Sequence, residues 1–201
     1  MAGPGGPARP EDHSAGGDRT ERARLFVALE LPERVRDPLV SWRSAALEGV
    51  RGLRALPSDH LHVTLCFLGW QPVSQIEAVA EACGALNGTG PPTLALDEAL
   101  WLPPRRPRVL AVRLQEDLGR LTAIQSELSA LLQNGGWYEP ERRPYLAHVT
   151  VARAGRSGRV ASSPLPAPPP LSFAAPRLTL FRSRLTPGGA RYEALARIEL
   201  G

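Results

Sequence analysis

The sequence predicts an α+β fold that is bilobed, with two pseudo-symmetric antiparallel β-sheet lobes, flanking helices and a central cleft. Three observations predict it. Strand-like and helix-like periodicities follow one another as strand, helix, strand, strand, helix and then strands with hairpins, an order that favours antiparallel sheets. The tetrapeptide His62-Val63-Thr64-Leu65 returns nearly unchanged as His148-Val149-Thr150-Val151, which points to two related halves with a site between them. A chain of 201 residues with 43% apolar content can bury one substantial core or two small fused lobes.

The elements follow in order. Residues 1–23 lack periodic apolar content and are expected to form a disordered N-terminal tail, leaving 24–201 as a single bilobed domain. Arg24 to Leu31 reads as a strand closed by Pro32. A helix is expected from Glu33 to Leu47, with Val35, Leu39, Trp42 and Ala46 on its apolar face. Pro38 falls inside that pattern, so the helix either kinks or restarts with Asp37 and Pro38 as cap and first residue. A short strand near Leu53–Leu56 precedes the first motif strand, Leu61–Leu68, which should stop at Gly69. Ser74 and Glu77 have capping-box spacing and open a helix running to about Leu86. Strands are expected at Thr93–Leu100 and Val109–Leu114. A helix follows with Leu118, Leu121, Ile124, Leu128 and Leu131 on one stripe, stopped by Asn134-Gly135-Gly136. The second motif strand spans Tyr145–Ala152. Residues 154–170, ending in a proline-rich run, read as a flexible extended loop. Strands at Arg177–Leu185 and Arg191–Leu200 close the chain as a hairpin.

Composition narrows the function classes. The net charge of +4 is carried by 24 Arg and no Lys. Arginine offers a planar fork of donors that suits phosphate, but a G+C-rich genome also favours it, so position must decide. Arg142, Arg143, Arg153, Arg156 and Arg159 bracket the second motif, and Arg105, Arg106 and Arg108 lie in a proline-rich loop, a distribution compatible with a groove for a phosphate-bearing partner. Two cysteines, Cys66 and Cys83, have neither metal-ligand spacing nor the pattern of a disulfide framework, and both read as reduced thiols near the core. Strict alternation puts Cys66 on the face of His62, although packing is its expected role. No apolar run resembles a membrane span or secretory signal, and a cytoplasmic protein is expected.

The paired motifs carry the chemistry. With 4 His and 8 Thr in the chain, chance supplies roughly 0.16 His-x-Thr triplets, so two sharing one apolar filler form a duplicated active-site element. On a strand, alternate side chains share a face. Histidine and threonine then stand side by side while the aliphatic residues enter the core. Two such pairs facing each other supply an acid, a base and two hydroxyl donors around one anionic group. Such a set can pass two protons in one reaction, one imidazole taking a proton and the other giving one, while the hydroxyls stabilise charge on the anion between them. His60 shares the face of His62, but no carboxylate or third histidine stands in register with the pair. No metal and no cofactor are expected.

The motif pair resembles the two-histidine phosphoesterase superfamily, and further stretches are similar to its RNA 2',3'-cyclic phosphodiesterases, once named 2'-5' RNA ligases. These are Arg24-Leu25-Phe26-Val27-Ala28-Leu29 followed by Leu31-Pro32, Leu61 to Gly69, Arg143-Pro144-Tyr145 leading to His148 to Arg153, and Phe181-Arg182-Ser183 with the tyrosine hairpin Gly189 to Leu195. The resemblance spans Arg24 to Leu200. It implies two motifs facing each other across a cleft and metal-independent opening of 2',3'-cyclic phosphates of RNA or nucleotides to 2'-phosphate ends, with 2'-5' ligation as the reverse chemistry. It also implies His62 as general acid, His148 as general base, Thr64, Thr150 and Arg153 as phosphate-binding residues, and Phe67 as a ring near the substrate base. Strict alternation turns Phe67, and Arg153 unless its strand twists or ends near Ala152, away from the histidines, so those two roles come from the resemblance alone. The chain departs from the family pattern at Ala147, where relatives usually carry proline, and at Pro38. A 2'-5' phosphodiesterase, another small cyclic nucleotide hydrolase and a non-catalytic RNA-binding module are the alternative readings. The partners expected are RNA or nucleotide ends and no membrane, with the protein acting as a monomer.

Overall fold

The computed structural model describes residues 21–116, 118–155, 160, 163–187 and 189–201. The strands are β1 (Arg22–Glu30), β2 (Leu53–Ala55), β3 (His62–Pro72), β4 (Thr93–Leu102), β5 (Val109–Glu116), β6 (His148–Ala154), β7 (Ser172–Ala174), β8 (Arg177–Thr186) and β9 (Gly189–Glu199). The helices are α1 (Glu33–Ala46), α2 (Ile76–Gly84) and α3 (Arg120–Asn134). The predicted tail lies outside the described residues through Thr20, and its last two positions are corrected: Arg22 and Ala23 already belong to β1.

Every pairing is antiparallel, in the order β7-β4-β5-β6-β3-β1-β8-β9, with β2 added to β6. The predicted lobes are the two halves of this sheet. β7-β4-β5-β6 and β3-β1-β8-β9 meet at a single paired position, Val63 opposite Val149, and each of those valines is the residue between histidine and threonine of a motif. Antiparallel register about that point turns His62 toward Thr150 and Thr64 toward His148, so the duplicated motifs face one another through an approximate twofold.

Burial explains which face each element presents. On β1 the alternate residues Ala23, Leu25, Val27 and Leu29 are at most 1% exposed and enter the core, while Arg22, Arg24, Phe26 and Ala28 take the opposite face. α1 buries Val35, Leu39, Trp42 and Ala46 as its period predicts, and adds Arg43, whose guanidinium donates to the carbonyl of Leu56. It runs unbroken through Pro38. The proline-rich stretch forms no regular element over 163–170, yet two indoles hold it: Trp42 donates to the carbonyl of Pro166 (3.2 Å) and Trp101 to that of Ser163 (2.9 Å).

Other boundaries differ from expectation for identifiable reasons. β3 continues past Gly69, which adopts φ 68° inside the strand, a conformation glycine enters without steric cost. α2 starts after a 3-10 turn at Val73–Gln75 and has no side-chain cap, so the Ser74/Glu77 capping box does not form. α3 starts at Arg120, because Leu118 takes a left-handed φ of 64° and is fully exposed. Its cap is the Glu116 carboxylate, accepting from the backbone N–H of Leu121 (2.6 Å) and Thr122 (3.2 Å). The buried stripe then ends on Leu132 rather than Leu131. Tyr145 to Ala147 precede β6 instead of belonging to it, and β7, three residues long, has no counterpart among the predicted strands.

Candidate active site

Both motif strands contain the same irregularity. Along β3 the partners of β1 step from Val27↔Cys66 to Ala28↔Thr64, leaving Leu65 as an extra residue. Along β6 the partners of β5 step from Leu110↔Ala152 to Ala111↔Thr150, leaving Val151 extra. Each motif thus carries a β-bulge three residues after its histidine, which inverts the alternation beyond it. Val63, Leu65 and Cys66 are all buried, and Phe67 emerges 44% exposed. Val149, Val151 and Ala152 are buried in the same way, and Arg153 emerges.

The bulges correct three expectations. Cys66 lies on the core side, 1% exposed, not on the face of His62. Phe67 and Arg153 return to the histidine faces that strict alternation denied them. They occupy equivalent positions in the two halves, five residues after His62 and His148.

The residues gather around one cleft. A compartment of about 830 Å³ is lined by His60, His62, Thr64, Phe67, His148 and Arg153, with Phe26 and Tyr192 on its wall. Thr150 is half-buried on the His148 face of β6 and is not among the residues lining this space. Thr64, Phe67 and His148 also border a second compartment of about 780 Å³, closed by Tyr138, Arg143, Arg108 and the outer face of α3. Of the arginines singled out from the sequence, Arg108, Arg143 and Arg153 reach these spaces, while Arg156 and Arg159 lie outside the described residues.

The two histidines have different surroundings. His62 sits in an aromatic enclosure, with ring centroids at 5.0 Å from Phe26, 5.4 Å from Tyr192 in an edge arrangement and 6.1 Å from Phe181. That burial lowers its pKa to about 4, and the positive charge of Arg153 acts in the same direction, while a hydrogen bond to the backbone of His60 partly opposes them. His148 places Nδ1 at 2.8 Å from the carbonyl oxygen of Leu146. A carbonyl only accepts, so Nδ1 carries the proton and Nε2 is left with its lone pair. Across the seam, the Tyr145 hydroxyl donates to the carbonyl of Thr64 at 3.0 Å and ties the lead-in of β6 to the first motif.

Sequence reasoning missed the enclosure. Phe26 pairs with Phe67 on one side and Phe181 on the other, so the aromatic residues share the cleft face by register. The available signal was the alternation of β1, which places Phe26 opposite the core leucines. His60 is 4.4 Å from Tyr192, ring to ring. Among the described residues, no group of three or more His, Cys, Asp or Glu side chains is arranged to hold a metal ion.

A curled antiparallel sheet that brings two His-x-Thr strands together at its seam defines a two-histidine phosphoesterase. The profile described as LigT like phosphoesterase matches residues 29–111. The RNA 2',3'-cyclic phosphodiesterase of Escherichia coli K12 is 31% identical over 182 residues, covering 89% of this chain and 97% of that protein. The Thermus thermophilus protein of the same name is 28% identical, covering 88% and 90%. Escherichia coli LigT crystallised with 3'-AMP superposes with a TM-score of 0.73 at 30% identity, covering 90% of this chain and 99% of that one. The chain belongs to the LigT-like phosphoesterase family.

Proposed function

We propose that the protein hydrolyses the 2',3'-cyclic phosphate ends of RNA or nucleotides to 2'-phosphate ends, with His62 and His148 as the acid–base pair. The observation that carries this reading is the pairing of Val63 with Val149, which brings the two His-x-Thr faces together at one cleft. The names of the relatives, RNA 2',3'-cyclic phosphodiesterase, and the LigT complexes with 3'-AMP and ATP support the substrate class.

In this scheme His148 Nε2 takes a proton from water, and the water oxygen bonds to phosphorus. The bond from phosphorus to the 3' oxygen breaks, and His62 gives that oxygen its proton, leaving a 3'-hydroxyl and a 2'-phosphate. Thr64, Thr150 and Arg153 hold the non-bridging oxygens, whose charge grows in the transition state. Phe67 contacts the terminal base. Because burial lowers His62 to about 4, the free enzyme holds it neutral at pH 7, and the phosphate anion itself supplies the field that favours protonation. No cofactor takes part. A 5'-hydroxyl replacing water on the same path would form a 2'-5' linkage. The protein works as a monomer in the cytoplasm, where two unpaired buried cysteines would persist.

The test is incubation with nucleoside 2',3'-cyclic phosphates in EDTA, beside His62→Ala and His148→Ala. Wild type should release 2'-phosphates, and each variant should lose at least about 100-fold in kcat. Absence of wild-type turnover, or retention by both variants, defeats the mechanism. A 3'-phosphate product defeats the leaving-group assignment, and loss of turnover with EDTA defeats the cofactor-free scheme.

A further inference from the structure

The strand pair that carries Phe26 and Phe67 into the cleft runs on beyond them. On the same face of the sheet, register sets Arg24 opposite Trp70 and Arg22 opposite Pro72, two and four ladder steps outward from the Phe26↔Phe67 pair. Trp70 is 55% exposed, an unusual state for the largest apolar side chain. The Arg24 guanidinium lies 4.7 Å from the centroid of the Phe67 ring, and Arg22 donates to the carbonyl of Trp70 at 2.5 Å. Two rings, Phe67 and Trp70, thus stand roughly 7 Å apart along the strand with cations between and beyond them. Among the described residues, two acids beside these strands are engaged elsewhere. Glu21 and Glu193 occupy positions of the opposite parity, in ion pairs with Arg182 and Arg184 at 3.0 Å each.

Alternating aromatic platforms and arginines along a groove are what a single nucleic-acid strand requires: bases stack on the rings and phosphates meet the cations. We infer that Trp70, with Arg22 and Arg24, forms a track for the nucleotides on the 5' side of the cyclic end, so that the preferred substrate is an RNA strand rather than a mononucleotide. This rests on the proposed reaction, because the cyclic phosphate must sit at His62 and His148 for the strand to leave in this direction. The terminal base lies at Phe67 and its 5' neighbour stacks on Trp70. Arg24 lines the same compartment as His62 and His148 and stands opposite Trp70 in the ladder, which is why a strand already anchored in the cleft is the occupant of this face.

The experiment compares kcat/KM for a nucleoside 2',3'-cyclic phosphate and a trinucleotide with the same end, in wild type, Trp70→Ala and Trp70→Phe. Wild type should prefer the trinucleotide by about 10-fold or more. Trp70→Ala should erase most of that preference through KM while changing the mononucleotide less than about twofold, and Trp70→Phe should keep it. Equal wild-type rates on both substrates, an unchanged trinucleotide KM in Trp70→Ala, or equal losses on both substrates would each overturn the track. A binding readout is independent of turnover: a trinucleotide ending in 2'-phosphate should quench tryptophan emission in wild type and do so far less in Trp70→Phe. Quenching that survives the substitution also overturns the track. If wild type hydrolyses neither substrate, the proposed reaction fails, and the quenching titration still decides whether the strand binds at Trp70.

Discussion

Removing His62 should make the protein more resistant to acid even as the proposed mechanism requires it to lose turnover. The imidazole titrates at about 6.5 in an unfolded chain and about 4 in its aromatic enclosure. Between those values the unfolded state binds a proton that the folded state refuses, so folding stability falls as pH drops from about 6.5 to about 4. With about 1.4 kcal/mol per pH unit of displacement, the loss accumulated between pH 8 and pH 4 is about 3 kcal/mol. That is a large share of the ~5–15 kcal/mol that keeps a domain folded. Urea unfolding of wild type and His62→Asn at pH 8, 6 and 4 measures it. Carboxylates titrate in both proteins and cancel, so the pH 8 to pH 4 difference should be about 3 kcal/mol smaller in the variant. An imidazole resonance for His62 that titrates near 6.5 in the free protein, or parallel pH dependences for the two proteins, refutes the reasoning.

Further outcomes follow from the same geometry. The limb of kcat/KM that His62 governs, which reports the free enzyme, should lie near pH 4, and the corresponding limb of kcat should lie higher because bound phosphate raises His62; coincident limbs would show that the anion does not act on this imidazole. Thr64→Val and Thr150→Val keep side-chain shape and should lower kcat about 100-fold each with little change in Tm, whereas losses under threefold would remove the hydroxyls from phosphate binding. Leu118→Gly should stabilise by about 0.5–1 kcal/mol, since a fully exposed leucine at φ 64° gains nothing from burial and bears left-handed strain; a lower Tm contradicts this. Cys66 and Cys83, whose thiols burial pushes up to about 12, should resist a disulfide reagent at pH 8 until urea unfolds the chain, and rapid modification of native protein would place them elsewhere.

The three helices, the longer strands, and the core face of each motif strand up to its bulge could be read from the sequence because they depend on local periodicity. Val35, Leu39, Trp42 and Ala46 form one stripe whatever α1 packs against. The bulges at Leu65 and Val151 could not be read, because a bulge is a property of two strands and its partners in β1 and β5 are distant in the chain. Strict alternation therefore puts Cys66, Phe67 and Arg153 on the wrong faces by one cause: an extra residue exchanges the side chains that follow it between faces. Leu118 fits the helical period of α3, but the turn ahead of the helix is capped by Glu116 from the preceding strand, and that contact excludes it. The strand β7 is three residues long and exists through its pairing with β4, too little chain for alternation to register.

The same bulge accounts for how a duplicated element yields unlike catalytic groups. Repetition of His-x-Thr alone would give two equivalent imidazoles, and equivalent groups have no reason to divide the roles of acid and base. The inverted parity beyond each bulge delivers a fifth residue to each histidine face, and these differ: Phe67 in one half and Arg153 in the other. The sheet order adds to the difference, since β3 borders β1 and, beyond it, β8 and β9, which bring Phe26, Phe181 and Tyr192 around His62, whereas His148 keeps Nδ1 on the carbonyl of Leu146 beside the tyrosine-bearing lead-in. One half is dry and aromatic, suited to a base and to an imidazole that is charged only when an anion arrives. The other brings the Arg153 cation to the cleft and turns the Nε2 edge of His148 away from the Leu146 carbonyl. Strand symmetry thus brings the two histidines to one cleft, and the residues beyond the bulges give them different surroundings.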